Sequence, residues 1–156
     1  MQRILSRLCL LALAGWVGGG LLYTFVLTPA VFHAYGRDRA GEVVGGMMPH
    51  YFGFTFAAVA AAALLLLLLR SPGAPRLRAA CLGLAFSALL VQGYLAFRLY
   101  PQIVEVKATV ASFEADPDSP PRRRFRALHG TSMALNLLVL AEGAALLLLL
   151  PLPRRD

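Results

Sequence analysis

The sequence predicts an all-α integral membrane protein, a four-helix bundle forming a single domain over residues 1–156. Three observations carry that reading. The chain is 58% hydrophobic, against roughly 45 to 50% in a soluble domain, and its mean hydropathy is +0.67. Its charged residues, 15% of the total, gather in short stretches instead of being interleaved with apolar ones. Between those stretches lie four apolar runs, each long enough to cross a hydrocarbon core about 30 Å thick as a helix of about 20 residues.

The first run extends from Leu8 to Val31. Arg3 and Arg7 ahead of it, with Ala12 and Ala14 inside it, imitate a secretory signal peptide, but the run continues through Leu21, Leu22, Phe25 and Val26, too long for a signal's apolar region. It is read as a retained span. The second runs from Met47 to Leu69, ends against Arg70, and includes the block Ala57 to Leu69 made only of Ala, Val and Leu. The third runs from Ala79 to Tyr100, and the fourth from Leu128 to Leu152 with Glu142 inside it. All four must be helical, because lipid offers no partner for a free N–H or C=O. Gln102 to Val110 reads as an amphipathic continuation of the third helix, stopped by Pro117, Pro120 and Pro121.

Four crossings put both termini on one side, together with Arg3, Arg7, Arg70, Arg76, Arg78, Arg154 and Arg155. Basic residues on the other side are diluted by Asp38, Glu42, Glu105, Glu114, Asp116 and Asp118. The expectation is a multi-pass protein of the bacterial cytoplasmic membrane with both termini cytoplasmic. A net charge of +7 then belongs to helix ends and lipid headgroups, Arg122, Arg123 and Arg124 included, and no nucleic-acid partner is assigned. Cys9 and Cys81 fall at the cytoplasmic end, where thiols stay reduced, and are expected to be packing residues.

Small residues four apart, Gly15 with Gly19, Gly53 with Ala57 and Ala61, and Gly83 with Ser87, are expected to let helices approach closely. The polar residues show a pattern of their own. With alternating directions, His33, His50, Arg98, Tyr100 and His129 all come to one end of the bundle. His129, Ser132, Met133 and Asn136 share one helical stripe, Met47 and His50 share a face, and Tyr94 and Arg98 share another with Gln92 deeper. The expected ligand-binding residues are Tyr23, His50, Gln92, Arg98, His129, Ser132 and Asn136, lining a polar pocket at the extracytoplasmic end. His50 and His129, with Met47, Met48 and Met133 near, are the candidate ligands for a soft metal ion such as copper, though no H-x-x-H or C-x-x-C is present. No other cofactor is expected. Glu142 lies about 13 residues past His129, roughly 20 Å deeper and about 140° around the helix; it is separate from the histidine end and is a candidate proton carrier or a hydrogen-bonded structural acid.

These residues resemble a known family. Pro29-Ala-Val-Phe32, Ala40-Gly41, Gly46-Met-Met-Pro49-His-Tyr51-Phe52, Tyr100-Pro101, and Phe125-Arg-Ala-Leu-His129-Gly130-Thr-Ser132 with Asn136 are similar to the bacterial relatives of eukaryotic transmembrane protein 205. The resemblance implies a four-span membrane domain of unknown molecular function and supplies no catalytic residues. With no G-x-x-x-x-G-K, S-x-x-K or G-x-S-x-G, an enzyme is not expected. The expectation is a small solute- or ion-binding or transport protein in the lipid bilayer, a reading that a homo-oligomer would strengthen, with a homo-oligomer or another membrane protein as the open choices of partner. The alternatives are a structural or assembly subunit bound to another membrane protein and, less favoured, a copper-handling or haem-binding protein.

Overall fold

The computed structural model describes residues 1–69, 75–113 and 118–150. Four long helices make up almost all of it: α1 (Gln2–Ala34), α2 (Arg37–Leu68), α3 (Pro75–Ala108) and α4 (Pro120–Leu149). All four are long and apolar enough to cross a membrane. Around the bundle the order is α1, α2, α3, α4 and back to α1, each helix packing on its neighbours in sequence, which is an up-down-up-down bundle. The predicted loop and tail residues Arg70, Glu114, Asp116, Pro117, Leu152, Arg154 and Arg155 lie outside the described residues.

The helices overrun the predicted spans at the histidine end. At 1.5 Å per residue, the 33 residues of α1 reach about 50 Å, against a hydrocarbon core of about 30 Å. Helix α2 begins ten residues before its apolar run, because Ala40 and Val44 already form an inward face. The amphipathic continuation of α3 is helical to Ala108, with Ile103 and Val106 turned inward. Pro120 and Pro121 do not close the preceding helix; they open α4, whose first turn has no use for an N–H.

Two of the helices carry a π-helical turn, Leu22–Leu27 in α1 and Leu95–Leu99 in α3. Each is followed, one residue later, by a proline, Pro29 after Thr28 and Pro101 after Tyr100. Proline removes a donor and pushes against the carbonyl four residues back. The widened turn absorbs both effects, with Thr28 N–H reaching Tyr23 O and Tyr100 N–H reaching Leu95 O, one residue further than in an α-helix. Both helices therefore run on without breaking.

Large apolar side chains cover the outside: Leu11, Phe25, Leu90, Phe97 and Leu148 are all more than half exposed. Such a surface fits lipid and would aggregate in water. Inside, packing is close. Trp16, Leu13, Leu95 and Leu146 are fully buried, and the Trp16 ring lies so near α4 that a Cβ on Gly143 would sit 3.0 Å from it. Gly20 gives the same room to Leu140, and Gly19 to the ring of Phe54. The predicted small-residue contacts hold for the Gly15–Gly19 face only; Gly53, Ala57, Ala61 and Gly83 face outward. Regular spacing of small residues marks a face but not its partner. Cys9 and Cys81 are both buried and free.

Gly143→Ala is expected to lower thermal stability in detergent by about 1–3 kcal/mol, since rigid ring and helix must separate. Gly83→Ala, with nothing within 4 Å, is the control. Equal melting of the two variants would contradict the packing described.

Candidate functional site

The histidine end of the bundle is built on α2. Pro49 has no N–H, so the carbonyl four residues earlier, that of Gly45, lacks its helical partner. The Tyr100 hydroxyl of α3 donates to it at 3.2 Å. One turn further out, Lys107 Nζ donates to the Gly41 carbonyl at 2.6 Å. From the other side, the Tyr23 hydroxyl of α1 donates to Val44 O at 3.1 Å. Glycines at 41 and 45 keep this face of α2 low, and a Cβ at 45 would stand 2.9 Å from Lys107 Nζ.

Deeper in, the Tyr51 hydroxyl donates to Asn136 Oδ1 at 2.7 Å, and Asn136 Nδ2 donates to Thr24 Oγ at 3.1 Å. The Tyr23 and Tyr51 rings stack above this relay, 4.2 Å between centroids. One turn below, Gln92 Nε2 donates to Thr55 Oγ. The relay links α1, α2 and α4, and the Gln92 bond links α2 to α3. In lipid such bonds fix helix register, because apolar faces alone do not distinguish one pairing from another.

Above the relay opens a cleft of about 610 Å³, within the roughly 300–1,000 Å³ range of small-molecule sites. Val44, Met48, Phe52, Ile103, Phe125 and Phe32 form its apolar body, with Ser132 and His129 on the α4 wall. Arg37, Lys107, Arg122 and Arg126 also line it, against one carboxylate, Glu42, which Arg39 already pairs at 2.9 Å. The segment after α3 folds back to close one side. Asp38 holds it there, accepting from Ser112 Oγ at 2.7 Å and from the Phe113 N–H. The Phe113 ring meets Phe125 edge-on, and Phe125 stacks on the His129 imidazole with 5.5 Å between centroids.

The structure divides the predicted site residues into three groups. His129 and Ser132 line the cleft. Tyr23, Asn136 and Gln92 are interior hydrogen-bonding residues beneath or beside it. His50 and Arg98 are exposed and outside it, as is His33. The reason is helical phase: Met48 and Phe52 face the cleft, so His50 between them points to the opposite side, and Arg98 lies six residues from the inward Gln92, about 240° around the helix. His50 and His129 are therefore not brought together in the cleft, and no group of three or more His, Cys, Asp or Glu able to hold a metal ion occurs among the described residues. Lys107, Arg37, Tyr100 and Phe52 were not singled out as site residues in the sequence. The signal for Tyr100 was present, as Pro49 orphans a carbonyl that some donor must meet.

Fold and site together define a small multi-pass membrane protein with a cationic, aromatic-walled cleft at one end of its bundle. The chain belongs to the family described as Domain of unknown function (DUF4149), whose model matches residues 11–112. These residues take in α1 from Leu11 onward, all of α2 and α3, and the start of the segment that closes the cleft. The chain is also 30% identical over 146 residues to an "Uncharacterized protein" of Aquifex aeolicus (strain VF5), covering 92% of this chain and 96% of that one. No solved structure matches.

Tyr51→Phe is expected to lower stability by about 0.5–1.5 kcal/mol, the net contribution of one hydrogen bond. In a double-mutant cycle with Asn136→Leu, unfolding in mixed micelles should show a coupling of about 0.5 kcal/mol or more. Additive losses would mean that the relay does not join the helices.

Proposed function

We propose that the protein binds an amphipathic, negatively charged small molecule in the cleft at the extracytoplasmic end of the bundle, as a solute-binding or transport protein rather than an enzyme. The observation that carries this reading is the composition of the cleft. An apolar body suits an acyl or aromatic moiety, and four cations lining the cleft against the single carboxylate Glu42, with Arg126 also reaching Asp118 at 3.5 Å, suit a phosphate or carboxylate head. Helix ends that project past the hydrocarbon core place such a head at headgroup level while its tail lies along Met48 and Phe52. The His129 imidazole, stacked on Phe125, supplies a further polar edge on the same wall. A metal ion at His50 and His129 gains no support from this arrangement, and kinship with the transmembrane protein 205 family remains part of the proposal.

The test is thermal stabilisation of the detergent-purified protein by short-chain phosphatidic acid, compared with phosphatidylcholine of the same chains and with inorganic phosphate. Stabilisation should follow phosphatidic acid, with phosphate alone weak. The Arg37→Gln, Arg126→Gln double variant should weaken it by roughly tenfold or more in apparent affinity, as expected for losing charge-assisted contacts. Equal stabilisation by phosphatidylcholine, or an unchanged affinity in the variant, would overturn the reading.

A further inference from the structure

At the histidine end the four helices separate into two pairs. The outer turns of α1, Thr28–Ala34, pack on α2, and those of α3, Tyr100–Ala108, pack on α4. No comparable packing joins the outer turns of α1 to α4, or those of α3 to α2. Two slots therefore flank the cleft, one between α2 and α3 and one between α1 and α4.

The slots are not alike. Tyr100 and Lys107 reach across the first to the Gly45 and Gly41 carbonyls at 3.2 and 2.6 Å, and the Phe52 ring packs on Tyr100. Across the second, the outermost hydrogen bond among the described residues is the one from Asn136 Nδ2 to Thr24 Oγ. Beyond it the two helices still present matching stripes. Thr28 and Phe32 follow Thr24 along one face of α1, and Ser132, His129 and Phe125 precede Asn136 along one face of α4, at the spacing of successive helical turns. All five line the cleft, yet among the described residues no hydrogen bond or ring contact joins one stripe to the other; Phe125 and His129 stack on each other.

The open slot meets lipid at the depth of the headgroups and with their opposite charge. Val31 ends the apolar run of α1, so Thr28 and Phe32 straddle the boundary between acyl chains and headgroups. Phe32 is 44% exposed although it lines the cleft, as befits a side chain at a mouth. Arg37 stands just past the end of α1 and Arg126 beside Phe125 on α4; both are exposed and both line the cleft. A cation thus flanks the mouth on each side, which attracts an anionic head whose chain lies in the apolar layer below. The neighbouring acids are engaged: Asp38 with Ser112 and the Phe113 N–H, Glu42 with Arg39, and Asp118 with Arg126 at 3.5 Å in an exposed pair. A chain that slides in sideways never leaves apolar surroundings, whereas one arriving through water must.

On the basis of the ligand site proposed above, we infer that the cleft is filled from the membrane: its occupant is an anionic phospholipid of the surrounding leaflet, which enters sideways between α1 and α4, its chain over Thr28 and Phe32 and its phosphate between Arg37 and Arg126. An aqueous solute of the same charge would enter along the bundle axis and leave the slot to bulk lipid.

The test places a tryptophan at the mouth, Phe32→Trp, with Leu90→Trp on the outward face of α3 as control; Trp16, fully buried, is common to both. Each full-length variant, in nanodiscs of phosphatidylcholine, receives a minority of lipid brominated along one chain, either phosphatidic acid or phosphatidylcholine, and the quenching of emission is compared. At position 32 phosphatidic acid should quench at least about fivefold more than phosphatidylcholine, the preference that a cation near a surface confers on an anion, while at position 90 the two should be equal. The preference should vanish when Arg37→Gln and Arg126→Gln are added, and persist in excess inorganic phosphate. Equal quenching at position 32, or a preference kept without the two arginines, overturns the inference. Emission restored by inorganic phosphate would identify an aqueous anion as the occupant and overturn it too. Thermal stabilisation of the same variants by phosphatidic acid in detergent separates the two levels: stabilisation without preferential quenching at position 32 overturns the lateral route alone, whereas the absence of both overturns the ligand site as well.

Discussion

A helix pair in lipid gains nothing from hiding one leucine behind another, so the few interior polar contacts decide which helix faces meet. Here they are distributed one layer above another. Gln92 and Thr55 tie α3 to α2; Tyr51, Asn136 and Thr24 tie α2, α4 and α1 together; Tyr100 and Lys107 tie the outer part of α3 to carbonyls of α2. The close approaches at Gly20 and Gly143 supply van der Waals contact between those layers. Position of the cleft follows from this register, because its walls are the outer turns of the same helices.

Proline shapes the same end. Pro29 and Pro101 are each preceded by a π-helical turn, and Pro49 sits inside α2 with its orphaned carbonyl met from α3. Three irregularities that would weaken an isolated helix thus become points where one helix is held by another or given a new rotational phase. Aromatic side chains fill the space this opens, Tyr23 on Tyr51 and Phe52 against Tyr100. Polar backbone left free by proline is tolerated in a membrane protein only where a neighbour re-satisfies it, and Tyr100 is that neighbour.

The four crossings were readable because lipid demands length and apolarity, and Leu and Ala runs state both plainly. So were the stripe of Ser132 and Asn136 and the separation of Glu142 from His129, since both depend only on 100° per residue. His50 and Arg98 share the depth of the cleft but not its side of the helix, and depth alone does not distinguish the two; Met48, Tyr51 and Phe52 around His50 carry the phase that does. Lys107 has no such signature in the sequence. Its partner is a backbone carbonyl on another helix, reached because Gly41 and Gly45 carry no side chains, and such a pairing leaves no pattern within either segment. The cleft itself arises from the segment after α3 folding back onto Asp38, a contact between residues 38 and 112–113 that no local spacing encodes.

The proposed ligand site requires a charged amphiphile to sit among the outer turns rather than on the apolar outside. Photo-crosslinking settles this, with an acyl phosphate bearing a diazirine in its chain, the nanodisc-embedded protein, and peptide mapping of the adducts. Adducts concentrated on Met48, Phe52, Ile103 and Phe125, and displaced by unlabelled acyl phosphate, are the predicted result. Adducts spread over Leu11, Leu90, Phe97 and Leu148 with no displaceable fraction in the cleft would contradict it.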